Sequence, residues 1–301
     1  MKPAYLKLLK REQLSQRSAL LWERLASCTI CPRHCQVNRL QEELGSCCIG
    51  TRARVSSYGP HLGEERPLRG WAGSGTIFFS GCNLHCLYCQ NAEISQKPTG
   101  RAVGAEELAE IMLEIQEMGC HNINLVSPTH VVPQIVAAVE NAAGQGLILP
   151  LVYNTGGYDH PETIKQLEGI VDIYMPDMKY ASEEAGEKYS DAAEYPFYNQ
   201  RAVLEMHRQV GDLSLSPEGL AERGLLIRHL VLPGERAGSN QILDFIASEI
   251  STDTYLNIMD QYRPAYQAGR FPELNRRISQ QEYQQVVDKA RALGFTRLDS
   301  W

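Results

Sequence analysis

A chain of 301 residues, 43% hydrophobic and 22% charged, is long enough for a large core, either one barrel-sized domain or a main domain with an appendage. Its net charge of -7 gives no general attraction to nucleic acid or to an anionic membrane, so neither is expected as a partner. No apolar run approaches the roughly 18 residues of a membrane span, and the mixed charged and apolar N-terminus lacks a signal-peptide core. Nine cysteines without an export signal point to a reducing cytoplasm, where clustered thiols hold metals more often than disulfides.

Taken in order, the chain opens with Leu6, Leu9, Leu14, Leu20, Leu21 and Leu25 among charged residues, a spacing that predicts one or two amphipathic helices over residues 4–26. Eight of the nine cysteines lie in the first 89 residues. Four of them, Cys28, Cys31, Cys35 and Cys47, form a possible metal site, with Cys48 and His34 competing for the fourth place. Zinc and iron–sulfur both suit this set. A loop with turn signals is expected from Tyr58-Gly59-Pro60 through Gly63 to Pro67.

The strand Thr76-Ile77-Phe78-Phe79 then delivers Cys82, Cys86 and Cys89, spaced C-x3-C-x2-C. Three thiolates on a four-iron cluster leave one iron open for a substrate or cofactor. Zinc prefers four ligands, and a disulfide framework suits small secreted chains. Helices over 104–118, 131–143, 239–250 and 279–293 alternate with strands at 121–126, 149–153, 171–175, 225–232 and 254–259. A further helix starts at Asp159-His160-Pro161-Glu162, with Asp159 as its cap. This order predicts an α/β fold, a partial (β/α)6 barrel over 71–301 behind a helical, cysteine-rich extension over 1–70. Chemistry in such barrels sits at the C-terminal strand ends.

Three strand ends carry candidates. Ser127-Pro128-Thr129-His130 either caps the next helix through Thr129 or faces the cysteine loop with Ser127 and Thr129 as acceptors. His130 suits acid–base work or simple packing. Asn154-Thr155-Gly156-Gly157 permits a sharp turn and a close ligand. Asp177 and Lys179, two apart on extended chain, point the same way and either face one ligand or pair with each other at the surface.

The cysteine spacing, with Tyr88 before the last cysteine, resembles the radical S-adenosylmethionine (radical SAM) superfamily. Longer runs are similar to its pyruvate formate-lyase-activating-enzyme-like, PflX-type branch. They include Cys31-Pro32-Arg33-His34-Cys35, Gly75 to Leu84, Pro128 to Gln134, Asp172 to Asp177 and Asn257 to Pro264. The resemblance implies a TIM-like barrel of radical SAM type in which Cys82, Cys86 and Cys89 bind a [4Fe-4S] cluster and Tyr88 contacts the adenine of S-adenosyl-L-methionine (SAM). Asp177 and Lys179 match an Asp-x-Lys pair beside the methionyl group. Ser127 or Thr129 stands where many members use Gly-Gly-Glu for the SAM amino group. Asn154-Thr155 stands where activases hold a monovalent cation with Asp-Thr, one formal charge fewer.

The expected activity is reductive cleavage of SAM to a 5′-deoxyadenosyl radical that abstracts hydrogen from a substrate. Electrons would come from a flavodoxin or ferredoxin, and the target would be a glycine of a partner glycyl-radical enzyme. One alternative is radical chemistry on another protein, a peptide or a small molecule. Another, of a different class, is a non-enzymatic iron–sulfur carrier or metal-binding scaffold.

Overall fold

Short apolar runs alternating with amphipathic segments bury their faces by stacking on one another. The computed structural model, which describes residues 2–97 and 99–299, does this with one sheet and its crossover helices. The chain runs α1 (Tyr5–Leu9), α2 (Gln13–Glu23), β1 (Ala53–His61), α3 (Arg66–Arg69), β2 (Ser74–Phe79), α4 (Ala92–Ser95), β3 (Arg101–Val103) and α5 (Ala105–Glu117). It continues through β4 (Ile123–Val126), α6 (Val132–Gly144), β5 (Leu151–Thr155), α7 (Pro161–Gln166), β6 (Ile173–Pro176), α8 (Glu183–Ser190) and α9 (Tyr195–Val210). It ends with β7 (Ser214–Leu215), β8 (Ala221–Leu230), α10 (Ser239–Phe245), β9 (Tyr255–Met259) and α11 (Gln280–Ala292).

Strands β2, β4, β5, β6, β8 and β9 are parallel, each to the next, and correspond to the six expected strands. The sheet stays open and does not close into a barrel. Every residue of β5 and β6 is buried, as parallel strands covered on both faces require. On the outside, α5 turns Leu108, Ile111, Met112 and Ile115 inward. The N-terminal helices bury Tyr5, Leu14 and Leu21 in the same core as α5 and α6. None of the described helices is long and apolar enough to cross a membrane.

Four expectations change. The turn signals at Tyr58-Gly59-Pro60 lie inside β1, which pairs antiparallel with β2 from Val55↔Phe79 to His61↔Ser74. Pro60 is tolerated because β3 flanks β1 only at Ala53–Val55, so that end of the strand is a sheet edge. His160, not Asp159, caps α7: its Nδ1 accepts from Glu162 N at 3.2 Å, while Asp159 is buried. The strand expected from Leu225 begins at Ala221, because a hairpin with β7 extends it backward. The helix over 239–250 changes to a π turn at Ile246–Ile250.

The single turn α3 packs on the face of the sheet that borders the cavity. Leu68, fully buried, packs with Val152, Ile173, Met175 and Leu226, whose strands also supply Asn154, Asp177 and Arg228 two residues further on. Period-2 alternation therefore makes Leu68 the floor beneath those polar side chains. Leu68→Ala is expected to lower unfolding stability by about 2–5 kcal/mol, the usual cost of a large-to-small core change, measured by urea denaturation.

Candidate active site

After the buried Phe79, the chain leaves β2 and wraps Cys82, Cys86 and Cys89 over the C-terminal strand ends. The end of α8 pins this loop: His85 N donates to Ser190 O and Leu87 N to Tyr189 O, at 3.0 and 2.8 Å. Each thiol has a polar neighbour. Leu84 N donates to Cys82 Sγ at 3.4 Å, Ser190 Oγ donates to Cys86 Sγ at 2.9 Å, and Ser95 Oγ lies 3.1 Å from Cys89 Sγ. A hydroxyl chain runs from Tyr88 through Tyr180 to Ser190, with 2.6 Å at each step, and so ends on Cys86. Burial pushes the Cys82 thiol up to about 12 and raises Cys86 despite the opposing charge of Lys179. Burial thus favours the neutral thiols of Cys82 and Cys86, so binding a metal through them releases protons.

Cys86, Tyr88 and Cys89 face Asn154, Asp177 and Lys179 across a cavity of about 390 Å³. Lys179 Nζ donates to Asp177 Oδ2 at 2.6 Å and Arg228 Nε to Asp177 Oδ1 at 2.8 Å. Arg228 Nη2 donates to Asn154 Oδ1 at 2.8 Å. Burial would raise the Asp177 carboxyl, but the two cations outweigh it and hold it below the usual carboxylate range. At the far end of the cavity, buried Glu65 accepts from Asn257 Nδ2 at 2.9 Å, and burial raises its carboxyl against the pull of Arg228. Arg228, Glu65 and Asn257 were not singled out from the sequence as site residues. A lone charged side chain inside the apolar run of β8 is the signal that marks Arg228.

A family model described as the radical SAM superfamily matches residues 76–246, from β2 through α10. The chain belongs to the radical SAM superfamily. It is similar to two proteins of Methanocaldococcus jannaschii. Uncharacterized protein MJ0674 is 31% identical over 277 residues, covering 88% of this chain and 74% of that protein. Uncharacterized protein MJ0808 is 25% identical over 289 residues, covering 85% and 77%. A solved radical SAM methyltransferase from Sphaerobacter thermophilus shares the fold with a TM-score of 0.51 at 15% identity, covering 73% of this chain. This chain spans 64% of that structure's length, and the likeness is one of fold.

Radical SAM proteins are enzymes, and membership implies radical chemistry with a [4Fe-4S] cluster and SAM. The donor set suits them: three clustered thiols, Cys86 buried and Cys82 and Cys89 partly so, each have a hydrogen-bonding neighbour, and Cys86 and Cys89 line the cavity with Lys179. Other residues singled out in the sequence face elsewhere. Thr129 Oγ1 lies 2.7 Å from Asp159 Oδ1 and 3.0 Å from Thr155 Oγ1, and Thr155 Oγ1 donates to Asp159 Oδ2 at 2.6 Å. Tyr153 donates to the same carboxylate at 2.8 Å. Thr129 therefore does not cap α6, and its hydroxyl is turned toward the α7 side. Ser127 adopts φ 57°, and its N–H donates to Asn154 O at 2.9 Å. His130 is buried against Ser80 O at 3.0 Å, and burial depresses its pKa to about 4, so it is neutral at pH 7.

Cys28, Cys31, Cys35 and Cys47 border a separate enclosed cavity. Cys48 is exposed, and His34 packs edge-on against His160 at 5.0 Å. Among the described residues no three His, Cys, Asp or Glu side chains are grouped as a site for a single ion.

Gly157 sets the height of Asp177. At φ 78° it lies where a Cβ would be 2.1 Å from Asp177 O and 2.3 Å from Asn199 Nδ2. Gly157→Ala is expected to cost about 2 kcal/mol or more through backbone strain and overpacking, read by urea denaturation, and to weaken SAM binding in calorimetry.

Proposed function

We propose that this radical SAM enzyme is an activase-like oxidoreductase of the PflX-type branch, taking hydrogen from a glycine in a partner protein. The observation that carries the reading is the Asp177–Lys179 ion pair at the end of β6, facing Cys86, Tyr88 and Cys89 across one cavity. An Asp-x-Lys pair at this strand is what glycyl-radical activases place beside the methionyl group of SAM. In this reading Cys82, Cys86 and Cys89 hold the cluster, and Tyr88 meets the adenine. When bound, cluster and cofactor supply reductive cleavage of SAM to methionine and a 5′-deoxyadenosyl radical.

The chain's own residues orient and confine. Asp177, ionised by its two cations, offers carboxylate lone pairs to an amine or hydroxyl beside the loop. Lys179 brings a positive charge toward the thiolates and toward a carboxylate ligand. Buried Tyr262 packs edge-on against Tyr88, ring centres 5.7 Å apart, and holds that ring in place. A flavodoxin or ferredoxin is the reductant we assign, in a cytoplasmic setting. A second reading, a small-molecule or other protein substrate, draws support from the polar far end of the cavity at Glu65, Arg228 and Asn257.

Protein reconstituted without oxygen is expected to show cluster absorbance and dithionite-driven 5′-deoxyadenosine formation, both abolished in Cys86→Ala. Undiminished SAM cleavage by that variant would sink the assignment. Mixing with candidate glycyl-radical enzymes is expected to give a glycyl doublet in electron paramagnetic resonance. If deuterium from a C-deuterated small molecule enters 5′-deoxyadenosine while no doublet forms, the second reading stands instead.

A further inference from the structure

Behind the cysteine loop, outside the substrate cavity, lies a second group of thiols. Cys28, Cys31 and Cys35 come from one stretch and Cys47 from the next, and all four border a single enclosed void. Four sulfurs closing tetrahedrally on zinc at about 2.3 Å leave no space between them. Sulfurs arranged around a void are spaced for a larger body.

Charge points the same way. Arg39 is 1% exposed and lines this void. Its guanidinium donates to Gly50 O and His130 O, at 2.9 Å each, and approaches Cys28 Sγ at 3.9 Å. No carboxylate among the described residues lies within ion-pair distance of it. A buried cation without a counter-ion is costly, and thiolates carrying an anionic core would supply one. His130 adds a second sign. Its Nε2 faces Ser80 O and so carries the proton, leaving Nδ1 as a buried acceptor without a partner on the same wall.

The two thiol groups share a wall. Asn83, next to Cys82, lines the void, and Arg33 Nε donates to Asn83 O at 2.8 Å. Ser46 Oγ, one residue before Cys47, meets Nε2 of His85, one residue before Cys86, at 2.7 Å. At Gly81 a Cβ would lie 2.6 Å from Cys47 O, so the two loops touch where no side chain fits.

We propose that Cys28, Cys31, Cys35 and Cys47 ligate a second iron–sulfur cluster that relays one electron to the Cys82–Cys89 loop from an external low-potential donor protein. No bond forms or breaks in the relay: the donor loses one electron, the second cluster gains and passes it, and the loop site receives it. Ligation stands on these residues alone, whereas the relay rests on the reductive reading of the loop. The test begins with Cys82→Ala/Cys86→Ala/Cys89→Ala protein, reconstituted anaerobically with iron and sulfide. It is expected to retain about four iron atoms per chain, half of the wild-type content, and to give its own paramagnetic resonance signal when reduced. Zinc in place of iron, or neither metal, overturns the second cluster and leaves the loop assignment untouched. Cys31→Ser is then expected to lower 5′-deoxyadenosine formation about tenfold with reduced flavodoxin as donor, and to leave dithionite-driven formation near the wild-type rate. Equal loss with both donors overturns the relay.

Discussion

Asp177 is a buried carboxylate that holds two cations at once, Lys179 on one oxygen and Arg228 on the other. The arrangement ties together three strands. Asp177 extends β6, Arg228 comes from near the C-terminal end of β8, and Arg228 reaches on to Asn154 in β5. A buried carboxylate is tolerable only when such partners outweigh its desolvation, and here Lys179 and Arg228 hold Asp177 below the usual carboxylate range. One wall of the cavity is therefore charged and rigid before any ligand arrives. Removing Asp177 would leave Lys179 and Arg228 facing each other without the carboxylate that lies between them.

The opposite wall is held by weaker and more numerous bonds. Among the described residues no carboxylate is hydrogen-bonded to the thiols of Cys82, Cys86 and Cys89; hydroxyls and a backbone N–H approach them instead. Such donors stabilise thiolate without competing for metal, which suits a loop that must release protons when it is loaded. The hydroxyl chain from Tyr88 to Cys86 also couples the cavity face of the loop to α8. Tyr180 and Ser190 thus form part of the loop's support.

The parallel strands were legible because their runs are apolar on both faces, and the cysteine loop because its spacing is local. β1 was hidden because Gly59 and Pro60 signal a turn, and only its pairing with β2 makes it a strand. Asp159 read as a cap because its neighbours are Pro161 and Glu162. Three hydroxyls from β5 and the β4–α6 connection draw it into the core instead, an outcome set by tertiary contacts. Arg228 and Glu65 were not legible as partners, since their side chains meet only once β8 and the residue preceding α3 border the same cavity. Asp177 and Lys179 were legible because two residues of extended chain suffice to point both one way.

Asn154 shows how a departure from a motif can be read physically. An aspartate there would add a charge able to hold a free cation. In this chain Asn154 Oδ1 accepts from the guanidinium of Arg228 at 2.8 Å, so a positive charge already occupies the neighbouring space. A second, dissociable cation would meet Arg228 and Lys179 together, with Asp177 between them and Glu65 4.0 Å from Arg228. The neutral amide matches that balance: it satisfies the guanidinium by a hydrogen bond without adding charge. Residue 154 and residue 228 are thus best understood as one choice, a covalently fixed cation in place of a bound one. It keeps the charge of this wall independent of the ions in solution.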